Sequence, residues 1–275
     1  MATPTRRKPM NDIDDNKIPF TEHLEELRKR LIHSVIAIAV CSCGAYAFKE
    51  KLFSILTWPL IKVMPPNGKL IYTGLPEAFF TYLKVSLLAG LFIAAPVLAY
   101  EFWMFVAPGL YKKERILLGP FIFLTLLFFV GGALFGYYLV LPFGYKFFIG
   151  FSSDTIQVMP SMKEYLGLTS QMLLAFGLIF ELPVVITCMA ALGMVSVEFL
   201  TKNRKYAIVI AFIAGGVLTP TPDVICQSLM AGPLIILYEL SIIGARIFGK
   251  KKQVDEGEDE TVSVDVVPMN KGDAE

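Results

Sequence analysis

The sequence predicts an all-α polytopic membrane protein with six transmembrane helices, both termini cytoplasmic and the last two helices short. Three observations carry this. The chain has 275 residues, of which 55% are hydrophobic and 18% charged, with a mean hydropathy of +0.60; a soluble domain carries about 25% charged residues. The charges avoid six long apolar stretches, approximately Leu31–Phe48, Pro76–Tyr100, Leu117–Pro142, Leu166–Leu192, Tyr206–Leu218 and Val224–Phe248. Lysine and arginine fall unequally on the loops between them. Eighteen lie in the N-terminal arm, the second and fourth loops and the C-terminal end. Six lie in the other loops, and Lys84 completes the 25. The positive-inside rule then puts both termini in the cytoplasm. The net charge of +1 says little, because the distribution carries the information.

Residues 1–22 form a polar cytoplasmic arm, residues 23–248 the membrane domain and residues 249–275 a disordered acidic cytoplasmic tail. The arm lacks the short apolar core and small-residue cleavage site of a secretory signal. Arg6-Arg7 does not read as a twin-arginine signal on this chain, since Pro9 and charged residues follow it. The first segment is at the lower limit of the roughly 20 residues that cross the hydrocarbon. The loop after it contains Trp58-Pro59-Leu60 and Pro65-Pro66, which argue against one continuous helix. Leu52–Leu60 suits a short helix at the outer interface, anchored by Trp58. Segments two, three, four and six are long enough to cross. The fifth reaches only about 20 Å as a helix and is either a short span in a thinned bilayer or a re-entrant segment. The four cysteines show no metal or redox spacing and read as small packing residues.

Several residues stand out chemically. Glu181 lies within the fourth segment, where a charge costs about 2.5–3.5 kcal/mol on insertion scales. It is either a protonated acid bonded to a neighbouring helix or a docking or relay site. Pro183 beside it should kink the helix. Glu239 reads as an interfacial carboxylate paired locally, with Arg246 two turns on; Lys84 can snorkel outward. Ser86, Gly90 and Ala94, and likewise Gly132 and Gly136, recur every four residues, the spacing of close helix packing, either within this bundle or between subunits. Thr219 and Gln227 flank the outer turn Thr219-Pro-Thr-Pro-Asp223.

The stretch His23-Leu-Glu-Glu-Leu-Arg-Lys-Arg-Leu31 precedes the first apolar segment. As a helix it aligns Leu24, Leu27 and Leu31 on one face. It also pairs Glu25 with Lys29 and Glu26 with Arg30 at the favourable i, i+4 spacing. Such pairs are worth only about 0.3–0.5 kcal/mol when exposed, so the stretch is either a salt-bridged helix start or a site whose own cations a stronger ligand displaces. Glu114, in the second inner loop, lies on the same cytoplasmic face. Two carboxylates there can each take one guanidinium.

Five motifs together resemble the TatC component of the twin-arginine protein translocase. They are His23–Leu31, Trp58-Pro-Leu-Ile-Lys62, Phe105-Val-Ala-Pro-Gly-Leu-Tyr-Lys-Lys-Glu-Arg115, Phe176-Gly-Leu-Ile-Phe-Glu-Leu-Pro183 and Leu218-Thr-Pro-Thr-Pro-Asp223, and the likeness extends from Phe20 to Phe248. It implies a cup-shaped six-helix bundle in the bacterial cytoplasmic (inner) membrane, with no catalysis, no cofactor, no metal and no nucleic-acid partner. It implies a receptor for the twin-arginine signal peptides of folded substrates, acting with TatA-type and TatB-type single-span proteins in a hetero-complex and in contact with lipid. Under this resemblance Glu26 and Glu114 recognise the arginine pair. Arg28 and Phe105 handle the signal peptide and Pro59 serves assembly in the outer loop. Glu181 faces the concave side, and Thr219 and Gln227 dock partners. The Thr-Pro-Thr-Pro-Asp turn is longer than the Thr-Pro-Pro-Asp the family suggests. A secondary transporter would also explain Glu181, but no internal repeat links the two halves. Motifs of an intramembrane enzyme are missing.

Overall fold

The computed structural model describes residues 20–65, 68–107, 118–152, 159–218 and 224–249. Ten α-helices order these residues: α1 (Phe20–Tyr46), α2 (Lys49–Ile61), α3 (Glu77–Val106), α4 (Leu118–Phe135), α5 (Leu141–Ile149), α6 (Met162–Phe180), α7 (Leu182–Ala191), α8 (Val197–Lys202), α9 (Arg204–Leu218) and α10 (Val224–Phe248). Among the described residues no strand forms; a single parallel bridge pairs Ile71 with Ser161.

Each apolar segment falls on helix. A π-turn at Gly136–Val140 joins α4 to α5, so Leu118–Ile149 is one long run. Glu181 joins α6 to α7, closing one and opening the other. Pro183 has no N–H to give the Ile179 carbonyl, and the Glu181 amide closes α6 on the Leu178 carbonyl; the kink expected there is this break. Four runs (α3, α4–α5, α6–α7 and α10) are long and apolar enough to cross a membrane, with a fifth if α1 and α2, bent by 92°, count as one. The 15 residues of α9 span about 22 Å, short of the roughly 30 Å hydrocarbon layer. The expectation of two short closing helices holds for α9 only. Helix α10 has 25 residues and continues through Pro233. Its later turns are held by packing, with Ile242 and Ala245 against Ala190 of α7 and Leu200 of α8.

Small residues set the closest contacts. Ser86, Gly90 and Ala94 are all buried, and a methyl group on Gly90 would overlap the Ser42 backbone, so α3 lies directly on α1. Gly132 lies as close to Phe176 and Phe180 of α6. Both glycine contacts belong to packing within this bundle.

Two apolar cores follow, beside the one around Ile242 and Ala245 and a smaller one at Ala211, Ala231 and Leu234. One gathers Leu56, Leu60, Val85, Tyr145, Tyr165 and Phe176 around α2. The other joins Trp103, Phe121, Val184 and Cys188. Outside them large apolar side chains stay exposed, including Leu24, Leu27 and Leu31. The face that these three leucines share is therefore not the core face. In lipid, exposed apolar surface carries no penalty and does not mark the inside of a bundle.

The loop after α2 is fastened by Glu77, a buried carboxylate at the first residue of α3. It accepts from the Thr73 amide (2.8 Å) and hydroxyl (3.1 Å), the Gly74 amide (3.2 Å), the Ser161 hydroxyl (3.0 Å) and the Lys163 amide (2.9 Å). This ties the connection between α2 and α3 to the start of α6. Glu101 lies 24 residues further along α3, about 36 Å away at the other end.

Candidate functional site

The first turns of α1 meet the last turns of α3, and the meeting makes a cleft. Gly90 brings the two helices together, so polar residues flanking each apolar stretch come level. His23 stacks on Phe105, with ring centroids 4.4 Å apart. One turn along α1, Glu26 and Arg30 pair as their spacing predicts. Arg30 Nη2 and Nε donate to Glu26 Oε1 at 2.7 and 3.1 Å. The Arg30 Nη1 donates to Glu101 Oε2 at 2.9 Å, and His33 Nδ1 lies 3.2 Å from the other Glu101 oxygen. The cleft has a volume of about 590 Å³, and Glu22, Glu25, Lys29 and Tyr100 also border it.

Glu101 went unnoticed in the sequence. It lies one residue beyond the apolar stretch ending at Tyr100, in a place where an isolated carboxylate reads as an ordinary helix end. The available signal was that the loop charges assign it to the same side as Glu26.

The two i, i+4 pairs differ in environment. Lys29 and Glu25 meet at 2.9 Å with both side chains about two-thirds exposed (68% and 64%). Lys29 bonds and attracts the Glu25 carboxyl, outside the apolar stretch, and holds it below the usual carboxylate range. Arg30, Glu26 and Glu101 are 21%, 29% and 12% exposed, so their charges are less screened by water. Glu26 is thus the partly desolvated member of the adjacent carboxylates. Arg28 is exposed. Glu114 and Thr219 lie outside the described residues, as do most of residues 1–22 and nearly all of 249–275.

Pro59 is fully buried within α2. Gln227 on α10 donates to the Phe212 carbonyl of α9 at 2.8 Å, so its amide nitrogen holds these two helices together. Glu239 pairs with Arg204 at the start of α9 (2.9 Å), not with Arg246 as expected. Seven residues on one helix leave about 10 Å along the axis, whereas α9 packs beside α10 and brings Arg204 level with Glu239.

Glu181 is half-buried. Its Oε1 is buried and accepts no hydrogen bond among the described residues. The Thr125 side chain and the Phe129 backbone face the carboxyl. Thr125 itself accepts from the Trp103 indole at 2.9 Å. Among the described residues no cluster of His, Cys, Asp and Glu suits a metal ion.

The family model for "Sec-independent protein translocase protein (TatC)" matches residues 22–233. The Sec-independent protein translocase protein TatC of Desulforapulum autotrophicum is 63% identical over 245 residues, covering 89% of this chain and 90% of that protein. The TatC of Escherichia coli is 36% identical over 239 residues, covering 86% and 92%. A crystal structure of the twin arginine translocase receptor TatC superposes with a TM-score of 0.72 at 40% identity, covering 82% of this chain and 99% of that one. Several apolar helices and this family together mean a multi-pass membrane protein that is a translocase component rather than an enzyme. The chain belongs to the TatC family of Sec-independent protein translocase proteins.

Proposed function

We propose that this protein is the receptor and core subunit of a twin-arginine translocase in the bacterial cytoplasmic membrane. It binds the twin-arginine signal peptides of folded proteins at the cytoplasmic face. Glu26 takes one guanidinium and Glu114 the other, while Arg28 and Phe105 line the approach. Six spans with both termini inside suit the loop charges. Residues 1–22 and 249–275 are its cytoplasmic arm and tail. TatA-type and TatB-type single-span proteins dock at Glu181 and at the outer Thr219 and Gln227, Pro59 shapes the outer surface for assembly, and copies of the chain associate within the hetero-complex.

The observation that carries this reading is the hold of Glu26 on a guanidinium, two donors converging on one oxygen at 2.7 and 3.1 Å. Charge-assisted arginine–carboxylate bonds of this kind are about twice as strong as neutral ones. The description of the related crystal structure as a receptor supports it.

The test is binding of a synthetic twin-arginine peptide and its twin-lysine analogue to the membrane-embedded protein. Glu26→Gln with Glu114→Gln should weaken the twin-arginine peptide by roughly a hundredfold, one factor of ten for each lost charge-assisted bond, while membrane insertion stays intact. Equal affinity for both peptides, unchanged by the double substitution, would overturn the reading.

A further inference from the structure

The cleft between α1 and α3 already holds an arginine, and that arginine belongs to the chain. Arg30 makes with Glu26 the contact that a peptide guanidinium would need, through its Nε and Nη2. Its remaining terminal nitrogen is fastened to a second carboxylate, Glu101, 71 residues away. We propose that Arg30 is a resident guanidinium that a signal-peptide arginine must displace from Glu26, and that Glu101 is the carboxylate onto which Arg30 withdraws. This rests on the reading of Glu26 as a peptide-binding residue.

Three features carry the inference. The first is charge: Glu26 and Glu101 share one guanidinium, so the trio is one cation short of neutral. An incoming arginine completes it as two guanidiniums on two carboxylates. The second is reach. Nη1 stays on Glu101 Oε2 while Nε and Nη2 leave Glu26, so the exchange needs rotation of the Arg30 side chain and no movement of α1 or α3. The cleft of about 590 Å³ leaves room for it. The third is burial. Neighbouring Lys29 and Glu25 are mostly exposed, and water screens whatever they do. Arg30 is 21% exposed and Glu101 is 12% exposed, so their contact competes in earnest.

The geometry at Glu26 also favours arginine over lysine in the ligand. A competitor must replace two donors converging on one oxygen, which a guanidinium reproduces and a compact ammonium does not. The cost of moving Arg30 is the same whatever displaces it, so Arg30 raises the threshold equally for either cation, and lysine, the poorer fit to Glu26, falls below it first. Weakly basic segments stay off the receptor.

The test is a binding cycle on the full chain in lipid nanodiscs, with synthetic twin-arginine and twin-lysine peptides as probes. Arg30→Gln should tighten the twin-arginine and the twin-lysine peptide by the same factor, roughly three- to tenfold, up to one charge-assisted bond. Glu101→Gln should weaken the twin-arginine peptide by roughly tenfold, because Arg30 then has only Glu26 to hold. In the Arg30→Gln background the Glu101→Gln penalty should vanish, the signature of residues that act through one another. If Arg30→Gln does not fold, Arg30→Lys carries the test and should also tighten binding, by less.

Weaker binding by a folded Arg30→Gln or Arg30→Lys protein would overturn the proposal. So would a Glu101→Gln penalty that persists without Arg30, since Glu101 would then touch the peptide itself. If these fail while Glu26→Gln still weakens binding, only the resident-guanidinium inference falls. If Glu26→Gln has no effect, the receptor site itself is wrong.

Discussion

The hydroxyl of Tyr137 donates to the carbonyl oxygen of Ile55, the carbonyl whose helical donor Pro59 removes. A proline inside a helix leaves the carbonyl four residues earlier without its N–H partner, and in α2 that residue is Ile55. Next to it, the Tyr165 hydroxyl donates to the Leu56 carbonyl. Trp58 stacks on Tyr137 with centroids 6.0 Å apart. The π-turn at Gly136–Val140 supplies the tyrosine. Such turns add a residue to the ladder and re-aim side chains. Burial of Pro59 thus comes with a built partner for the defect it creates.

This coupling is measurable. Tyr137→Phe keeps the ring on Trp58 and removes only the bond, so it should destabilise the protein by about 1 kcal/mol. Pro59→Ala restores the N–H to Ile55 and should shrink that penalty. A double-mutant cycle on thermal unfolding in detergent checks it. An equal Tyr137→Phe penalty in both backgrounds would mean that the proline is not what the tyrosine serves.

Gly131 and Gly132 are neighbours on α4 with opposite expected responses. A methyl group on Gly131 meets nothing within 4 Å, while one on Gly132 would meet Phe180 at 2.7 Å and also the Phe176 backbone. Gly131→Ala should be neutral or stabilising by up to about 1 kcal/mol from helix propensity. Gly132→Ala should destabilise by about 1–3 kcal/mol through forced separation of α4 and α6. Melting temperatures of the two purified variants decide it.

Glu77→Gln should loosen the end of the molecule opposite the cleft. The amide keeps one acceptor oxygen but turns the other position into a donor facing donors, so either the Thr73 and Gly74 donors on Oε2 or the Ser161 and Lys163 donors on Oε1 lose their partner. Limited proteolysis should cut the connection between α2 and α3 faster in the variant. Affinity for a twin-arginine peptide should stay within about twofold, since the clasp and the cleft are roughly 36 Å apart along α3.

Glu181→Gln should not destabilise the protein, because the carboxyl oxygen it replaces is buried without a hydrogen bond and a neutral amide is cheaper to keep from water. It should reduce photo-crosslinking from a probe at Leu178, an exposed neighbour one turn earlier, to a single-span partner in native membranes by roughly tenfold, the effect of about one lost polar contact. Undiminished crosslinking would remove Glu181 from the docking site.

The helices were legible in the sequence because their signals are local. Apolar length marks α3, α6–α7 and α10, and Pro183 marks the break at Glu181. The i, i+4 rule found both ion pairs of α1 without any knowledge of packing. Segment ends were less legible: α3 runs to Val106, past the apolar limit at Tyr100, because one carboxylate at Glu101 does not end a helix and residues 102–106 beyond it are apolar again. The third apolar segment carries no sign of a π-turn, since Tyr137 and Tyr138 look like interface aromatics.

The sequence by itself determined the number and order of apolar segments, the uneven loop charge from which an orientation is inferred, and two i, i+4 ion pairs, of which the family resemblance picked out Glu26. Only the tertiary structure decided which groups meet across helices: Glu101 with Arg30, Tyr137 with Ile55, Glu77 with Lys163 and Arg204 with Glu239. The physical reason lies in the solvent. A helix surrounded by lipid is apolar on every side, so no polar stripe in the sequence records which face turns inward. That face is chosen by close packing, as where Gly90 lies against Ser42, and the polar pairs at the helix ends follow from it.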